Sequence, residues 1–285
     1  MAATIIDGKE LSKTKRSELA VEVEQIKSRG LLPKLVVILV GDNPASVSYI
    51  RGKQKAAEEI GVGFKLEHFP ESLSENELLD VIESYNNNNE YHGILVQLPL
   101  PGHINETAVV EKISPLKDVD GFHPINIGRM MTGQDTFLPC TPAGIVEMIK
   151  SVGVEIAGKN VVVVGRSNIV GKPVGQLLLN EHATVTYCHS KTKDLTSYTK
   201  EADILVAAVG RANFIKGNQI KPGAVVIDVG VNRLDTGKLV GDVVFDEAKE
   251  VASFLTPVPG GVGPMTITML AHNTVQSAKN SLESK

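Results

Sequence analysis

With 42% hydrophobic and 22% charged residues in a chain of 285, the sequence has enough apolar side chains for a packed core and falls outside the disordered class. The length admits one large domain or two modest ones, and a formal net charge of −4 gives no reason to expect nucleic-acid binding. The longest apolar run, Leu35 to Val40, is far too short to span a bilayer, and Met1 to Glu10 lacks a basic stretch followed by an apolar one, so neither a membrane span nor a secretory signal is expected.

Read in chain order, short β-branched apolar runs alternate with amphipathic segments. The helices expected are 9–28, 44–60, 74–86, 105–112, 142–151, 172–181 and 264–281, and the strands 34–40, 63–69, 92–97, 160–165, 183–188, 203–208 and 224–229. Ser74 followed three residues later by Glu77 is a capping box, Pro44 and Pro142 suit a first helical turn, and Gly61 follows the second helix as a stop. Leu35 to Val40 and Val161 to Val164 are continuously apolar rather than alternating, so both faces of these strands should be covered. Such strands with helices between them imply an α/β fold built on parallel sheets, the second of them Rossmann-like.

The alternation breaks once, at 113–142, where prolines and glycines stand in mostly polar company. This is too long for an ordinary connection, and it reads as a crossing between domains that also lines a site. A second Gly/Pro-rich segment, 256–264, precedes the last helix. Two units are therefore expected: 1–121 with the terminal segment 264–285 packing back on it, and 139–260. The only two cysteines, Cys140 and Cys188, lack metal-ligand spacing and read as reduced cytoplasmic thiols, and no metal site is expected.

The segment from Asn160 to Pro173 is a strand, a turn and a helix start. Gly165 ends the strand where the backbone turns tightly, and Gly171 stands where a side chain would block close approach. The helix N-terminus should then offer free N–H groups and a positive dipole to a pyrophosphate. The spacing G-x-S-x-x-x-G departs from G-x-G-x-x-G, with Ser167 in place of the second glycine and one extra residue, so a ligand-free βα turn remains open. The next strand ends in Cys188, His189, Ser190 and Lys191, with no acid to hold a ribose hydroxyl. Arg166 and Ser190 in these positions suit a 2′-phosphate, so NADP is favoured over NAD; the alternative is that Arg166 and Lys191 are solvated surface charges.

Three further segments, all ahead of that fingerprint, carry polar groups. Tyr49 and Lys53 lie one turn apart on one helix face. Gln97 closes an apolar strand just before a proline-rich turn, where a buried amide needs a partner and a Lys ammonium is a natural one. Asp120 lies between glycine and proline turns, free to point into a cleft. Taken alone, Tyr49 and Lys53 read better as an ordinary surface helix. The Tyr-x-x-x-Lys spacing of short-chain dehydrogenases follows the cofactor fingerprint, whereas here it precedes it by more than a hundred residues.

Together these segments closely resemble the bifunctional methylenetetrahydrofolate dehydrogenase/methenyltetrahydrofolate cyclohydrolase family. The resemblance covers nearly the whole chain and rests on GDNPAS at 41–46, YIRGK at 49–53, GILVQLPLP at 93–101, KDVDGFHP at 117–124, PCTP at 139–142, GRSNIVG at 165–171 and PVPGGVGPMT at 257–266. It implies two α/β domains around a cleft, a folate substrate, NADP as cofactor, a homodimer and a cytoplasmic enzyme of one-carbon and purine metabolism. Residues 1–121 would be the folate-binding catalytic domain and 139–260 the NADP-binding one. By the same resemblance Tyr49, Lys53, Gln97 and Asp120 would carry catalysis. Folate would be bound by Tyr49, Lys53, Val96, Gln97, Leu98 and Asp120, with Pro259, Gly260, Gly261, Val262 and Gly263 bringing backbone close to it. Gly165, Arg166, Ser167, Ser190 and Val231 would contact NADP. Two other readings stay open on the residues alone: a shikimate-dehydrogenase-like NADP enzyme, and a non-catalytic NADP- or folate-binding regulator, against which Lys53 and Gln97 argue because binding alone requires no general base.

Overall fold

The structure is a computed structural model that describes residues 2–283. In chain order its elements are β1 (Thr4–Ile5), α1 (Gly8–Ser28), β2 (Lys34–Val40), α2 (Pro44–Ile60), β3 (Gly63–Phe69), α3 (Glu75–Asn86), β4 (Gly93–Val96), α4 (Glu106–Lys112), α5 (Pro124–Met131) and α6 (Cys140–Ser151). They continue with β5 (Asn160–Val164), α7 (Gly171–Asn180), β6 (Thr184–Cys188), α8 (Leu195–Thr199), β7 (Ile204–Ala207), β8 (Val225–Asp228), β9 (Asn232–Arg233), β10 (Leu239–Val240), α9 (Phe245–Val251), β11 (Phe254–Leu255) and α10 (Val262–Glu283). The chain divides into two compact units. One is built from residues 14–140 and 267–285, the other from 1–13 and 141–266.

The first unit holds a three-stranded parallel sheet in the order β3-β2-β4. Its central strand explains the unbroken apolar run in the sequence. Leu35, Val37 and Leu39 face α1, α2 and α10 through Leu19, Val23, Ile50, Ile60 and Leu270. Val36, Ile38 and Val40 face the opposite way, onto Leu78 and Ile82 of α3 and Val109 of α4. Successive side chains of a strand point to opposite faces, so a strand covered on both sides must be apolar at every position. Helix α3 starts at the expected capping box: Ser74 N donates to Glu77 Oε2 at 2.9 Å, and Ser74 Oγ accepts from Glu77 N at 3.3 Å.

The second unit holds a six-stranded sheet in the order β1-β11-β8-β7-β5-β6, parallel at every pairing. Its core gathers Val162, Val164, Leu205, Ala207, Val226 and Leu255. The expected α/β architecture with a Rossmann-like second sheet is therefore present.

The structure differs from the expected boundaries at both ends. Residues 1–13 belong with the six-stranded sheet, because β1 pairs with β11 (Thr4 opposite Phe254, Ile5 opposite Leu255). A two-residue strand is too short to show periodicity, which is why it escaped the sequence reading. The terminal segment begins as a helix at Val262 rather than 264, and its first residues fall in the second unit; Ser284 and Lys285 lie outside the described residues. The stretch 113–142 is not simply a crossing. Residues 113–140 fold onto the first unit, with Asp118 bridging to Ile94 beside β4 and α5 inserted in the middle. Pro124 opens α5 at its first turn. His123 caps it, its Nδ1 accepting from Ile125 N at 3.1 Å while Nε2 donates to Glu111 O at 3.3 Å.

Candidate active site

In the first unit, β4 ends at Val96 and the ladder continues for one more bond, Gln97 N to Ile38 O at 2.8 Å. This fixes the Gln97 backbone at the C-terminal edge of the sheet. Its side chain donates from Nε2 to Leu98 O at 2.7 Å and accepts at Oε1 from Lys53 Nζ at 2.9 Å. That partner set orients the amide, since a carbonyl oxygen must face the ammonium. Lys53 reaches it from α2, and Tyr49, one turn earlier on the same face, is 45% exposed. The expected pairing of Lys53 with Gln97 is thus present.

Asp120 stands on the segment before α5, and its neighbours are pinned. The buried Asp118 carboxylate accepts from His123 N at 2.8 Å and Asn126 Nδ2 at 2.9 Å, and Asn126 Oδ1 in turn accepts from Thr136 Oγ1 at 2.8 Å. Val119 O accepts from Asn273 Nδ2 of α10 at 2.9 Å and from Cys140 Sγ at 3.3 Å. Asn273 also donates to Leu138 O at 3.0 Å, tying together the two strands of chain that carry Asp120 and Cys140. A methyl group at Gly121 would lie 2.6 Å from the Leu138 carbonyl carbon, so only glycine allows that close passage.

The charges in this cluster act on one another. Burial lowers the Lys53 pKa below the usual lysine range, and the nearby Asp120 and Cys140 counteract it only in part. Burial likewise raises the Asp120 carboxyl above the usual aspartate value, against the pull of Lys53. Burial and the Asp120 charge push the Cys140 thiol well up, so it is a neutral donor at neutral pH. Gln97 is uncharged, so it orients the Lys53 amine without restoring its proton affinity as a carboxylate would. Cys140, Asp118 and Asn273 were missed as members of this site. Asp118 and Cys140 stood in recognised motifs, but a lone thiol and the first acid of Asp-x-Asp carry no spacing signal. Asn273 sits in a helix over a hundred residues away.

In the second unit, β5 runs into Gly165, whose N–H donates to Cys188 O at 2.9 Å. Gly165 has φ 135° and lies so close to β7 that a methyl group there would be 2.2 Å from Ala208 O. A methyl group at Gly171 would be 2.5 Å from Gly165 O. Both glycines thus let backbone pass backbone more closely than any side chain would allow, which is the tight strand-to-helix turn that a dinucleotide site requires.

The donors differ from expectation. The amides of Val170 and Gly171 at the start of α7 are taken by Ser167 Oγ at 3.2 and 3.1 Å, and Lys172 N by Ser167 O at 3.0 Å. The N–H groups without a partner among the described residues are those of Arg166, Ser167, Asn168 and Ile169, in the turn itself. Ser167 therefore builds the turn, with its O–H proton still available. Val164 pairs with Cys188, so Arg166 and Ser190 each follow two residues beyond adjacent strand ends. Both are exposed, as is Lys191, and no acid intervenes from Thr184 to Lys193. Val231, half exposed, follows β8 at the same edge of the sheet.

The residues expected to bind folate through their backbone, Pro259, Gly260, Gly261, Val262 and Gly263, precede and open α10 within the second unit, whereas Tyr49, Lys53, Val96, Gln97, Leu98 and Asp120 belong to the first. Gly261 is crowded, since a methyl group there would be 2.5 Å from Pro257 O, while Gly263 has open space around it.

Family models match both parts of the chain: the tetrahydrofolate dehydrogenase/cyclohydrolase catalytic domain over residues 6–120, and the NAD(P)-binding domain of the same family over 139–282. The chain belongs to the tetrahydrofolate dehydrogenase/cyclohydrolase family. It is 70% identical over 283 residues to the bifunctional protein FolD of Bacillus licheniformis, covering 99% of this chain and all of that one. Among solved structures it is similar to the bifunctional methylenetetrahydrofolate dehydrogenase/cyclohydrolase of Campylobacter jejuni, with TM-score 0.96, 50% identity, and 98% and 99% of the two chains covered. It is also similar to the Trypanosoma brucei methylenetetrahydrofolate dehydrogenase-cyclohydrolase complexed with NADP and an inhibitor, with TM-score 0.95, 40% identity and 99% of both chains covered. The expected family, fold and NADP-linked enzyme class are borne out. A shikimate-dehydrogenase-like enzyme and a non-catalytic regulator give way to them.

Proposed function

We propose that the two activities of this family divide between two kinds of site in this chain. The enzyme oxidises 5,10-methylenetetrahydrofolate to the 5,10-methenyl cation with NADP and hydrolyses that cation to 10-formyltetrahydrofolate. The observation that carries the assignment of roles is the Lys53–Gln97 pair, 2.9 Å apart, with Asp120 and Cys140 as neighbours and a lysine pKa lowered by burial.

When bound, NADP supplies the hydride acceptor. The chain's part in that step is to hold substrate and cofactor in register, which can be worth about 7–11 kcal/mol of barrier. The free amides of residues 166–169 and the Ser167 hydroxyl would meet the pyrophosphate; Arg166 and Ser190 would hold the 2′-phosphate; Gly165 and Val231 would flank the rest. Tyr49 would stack on the folate beside Val96 and Leu98, and Asp120 would hydrogen-bond the pterin edge. Residues 259–263 would add backbone contact.

Hydrolysis needs a proton relay. The neutral Lys53 amine takes a proton from water as its oxygen bonds to the methenyl carbon. The same ammonium then protonates the ring nitrogen as the carbon–nitrogen bond breaks, and the hydroxyl proton leaves to solvent as the formyl carbonyl forms. A lysine can do this near neutral pH only if its pKa is depressed, which burial provides.

We read the enzyme as a cytoplasmic homodimer. Both cysteines are free, as in a reducing compartment, and β3 is a seven-residue edge strand paired on one side only, with Leu66 40% exposed. Among the described residues no helix is long and apolar enough to cross a membrane. The assay that tests the functional reading supplies methylenetetrahydrofolate with NADP or NAD and follows reduced cofactor and formyl product together. NADP reduction followed by formyl release, with NAD far weaker, is expected; equal use of NAD would refute the assignment of Arg166 and Ser190.

A further inference from the structure

Two buried carboxylates lie beneath the cofactor edge of the six-stranded sheet, and no step above uses them. Asp242 is fully buried and accepts four hydrogen bonds. Oδ2 takes Val209 N at 2.6 Å and Gly210 N at 3.0 Å; Oδ1 takes Arg211 N at 2.9 Å and Asn232 Nδ2 at 2.9 Å. Asp228, at the end of β8, accepts Gly230 N at 3.0 Å and Asp242 N at 2.8 Å on Oδ1, and Val243 N at 2.9 Å on Oδ2. The backbone is moulded around these groups. A methyl group at Gly230 would lie 2.2 Å from Asp242 Oδ1, and one at Gly241 would lie 1.8 Å from Asp228 Oδ2.

The donors to Asp242 share one origin: all come from the segments that leave the C-terminal ends of β7 and β8. Dinucleotides bind across that edge of a parallel sheet. The β7 segment starts at Ala208, the residue against which the Gly165 turn is packed, and the β8 segment carries Val231. Arg211 contributes only its amide, since its guanidinium lies over the Phe214 ring at 4.7 Å.

We propose that Asp242, braced by Asp228, is a positioning residue of the NADP site. Its carboxylate fixes segments 208–211 and 229–232 at the height the cofactor requires, without touching the cofactor. This rests on the reading that NADP lies along that edge. The site offers donors to both oxygens of Asp242, two apiece, so an asparagine must turn its NH2 against two of them whichever way it faces.

The test is Asp242→Asn, assayed for both activities. The KM for NADP should rise roughly 10–100-fold, the loss of charged hydrogen bonds, with little change in dehydrogenase kcat at saturating cofactor. Any KM measurable for NAD should rise by the same factor, because the 2′-phosphate contacts are untouched. Hydrolysis of methenyltetrahydrofolate, which needs no NADP, should keep its rate. An unchanged KM for NADP, or parallel loss of hydrolysis, overturns the proposal. Should Asp242→Asn not fold, Asn232→Ala decides: it removes one of the four bonds, and a smaller rise in KM with intact hydrolysis supports the proposal, whereas no rise overturns it. Hydrogen exchange on the wild-type protein with and without NADP separates the two layers. Without protection at 208–211 and 229–232 the cofactor reading fails and the proposal falls with it. With protection, an unchanged KM in the variants rejects the positioning role alone.

Discussion

The lysine cluster of the first unit and the glycine turn of the second are built on opposite plans. Around Lys53 the functional groups are side chains: beside the exposed Tyr49, Lys53 and Gln97 are half-buried and hydrogen-bonded to each other, and Lys53, Asp120 and Cys140 are shifted in proton affinity. Around Gly165 they are backbone amides and exposed side chains such as Arg166 and Ser190, on a turn that the absence of Cβ atoms lets pack tightly. The difference follows the chemistry. Adding water to a cation and opening a ring moves protons, and protons need titratable groups of tuned pKa. Moving a hydride to a bound cofactor needs alignment, which backbone supplies.

The largest expected effect breaks the first region alone. Lys53→Met keeps length and apolar bulk and removes the amine. Cyclohydrolase turnover should fall about 10²–10⁴-fold while NADP reduction persists, so methenyltetrahydrofolate accumulates. Following both products in one reaction, corrected for spontaneous hydrolysis, checks this; equal loss of both activities would make Lys53 a binding group.

A smaller effect should appear in the second region alone. Arg166→Ala should weaken NADP by about 1.5–3 kcal/mol, the scale of a hydrogen bond to a charged group, and leave both NAD affinity and hydrolysis nearly unchanged. Titrating the two cofactors against the variant reads this directly. Equal weakening of NAD would move Arg166 away from the 2′-phosphate and onto the shared part of the dinucleotide.

The two regions were unequally legible in the sequence. Periodicity revealed the long elements, because strands such as β2 are covered on both faces and helices such as α3 carry caps with side-chain signatures. It did not reveal β1, a two-residue strand defined by its pairing with β11, or α5, α8 and α9, which run for only five to eight residues and so repeat an apolar period barely twice. The turn at Gly165 was legible because close approach demands glycine at fixed spacing, yet the role of Ser167 in capping its own turn was not. Tyr49 and Lys53 could be placed on one helix face from spacing alone. Their importance could be read only through the resemblance, since burial of the Lys53 amine depends on groups brought from 97, 120 and 140. Asp242 gave no signal at all: a buried acid whose partners are main-chain amides leaves no pattern in sequence.

The pH profile of the wild-type enzyme puts the contrast between the regions to its most direct test. Lys53 acts in its neutral form, and burial lowers its pKa; hydrolysis should therefore rise with pH through an inflection below the ordinary lysine value of about 10.4 and level off above it. The dehydrogenase, measured in the same samples, should not share that inflection, and Lys53→Met should erase it from hydrolysis. An inflection common to both activities, or one that survives in Lys53→Met, would contradict the assignment of proton transfer to this amine.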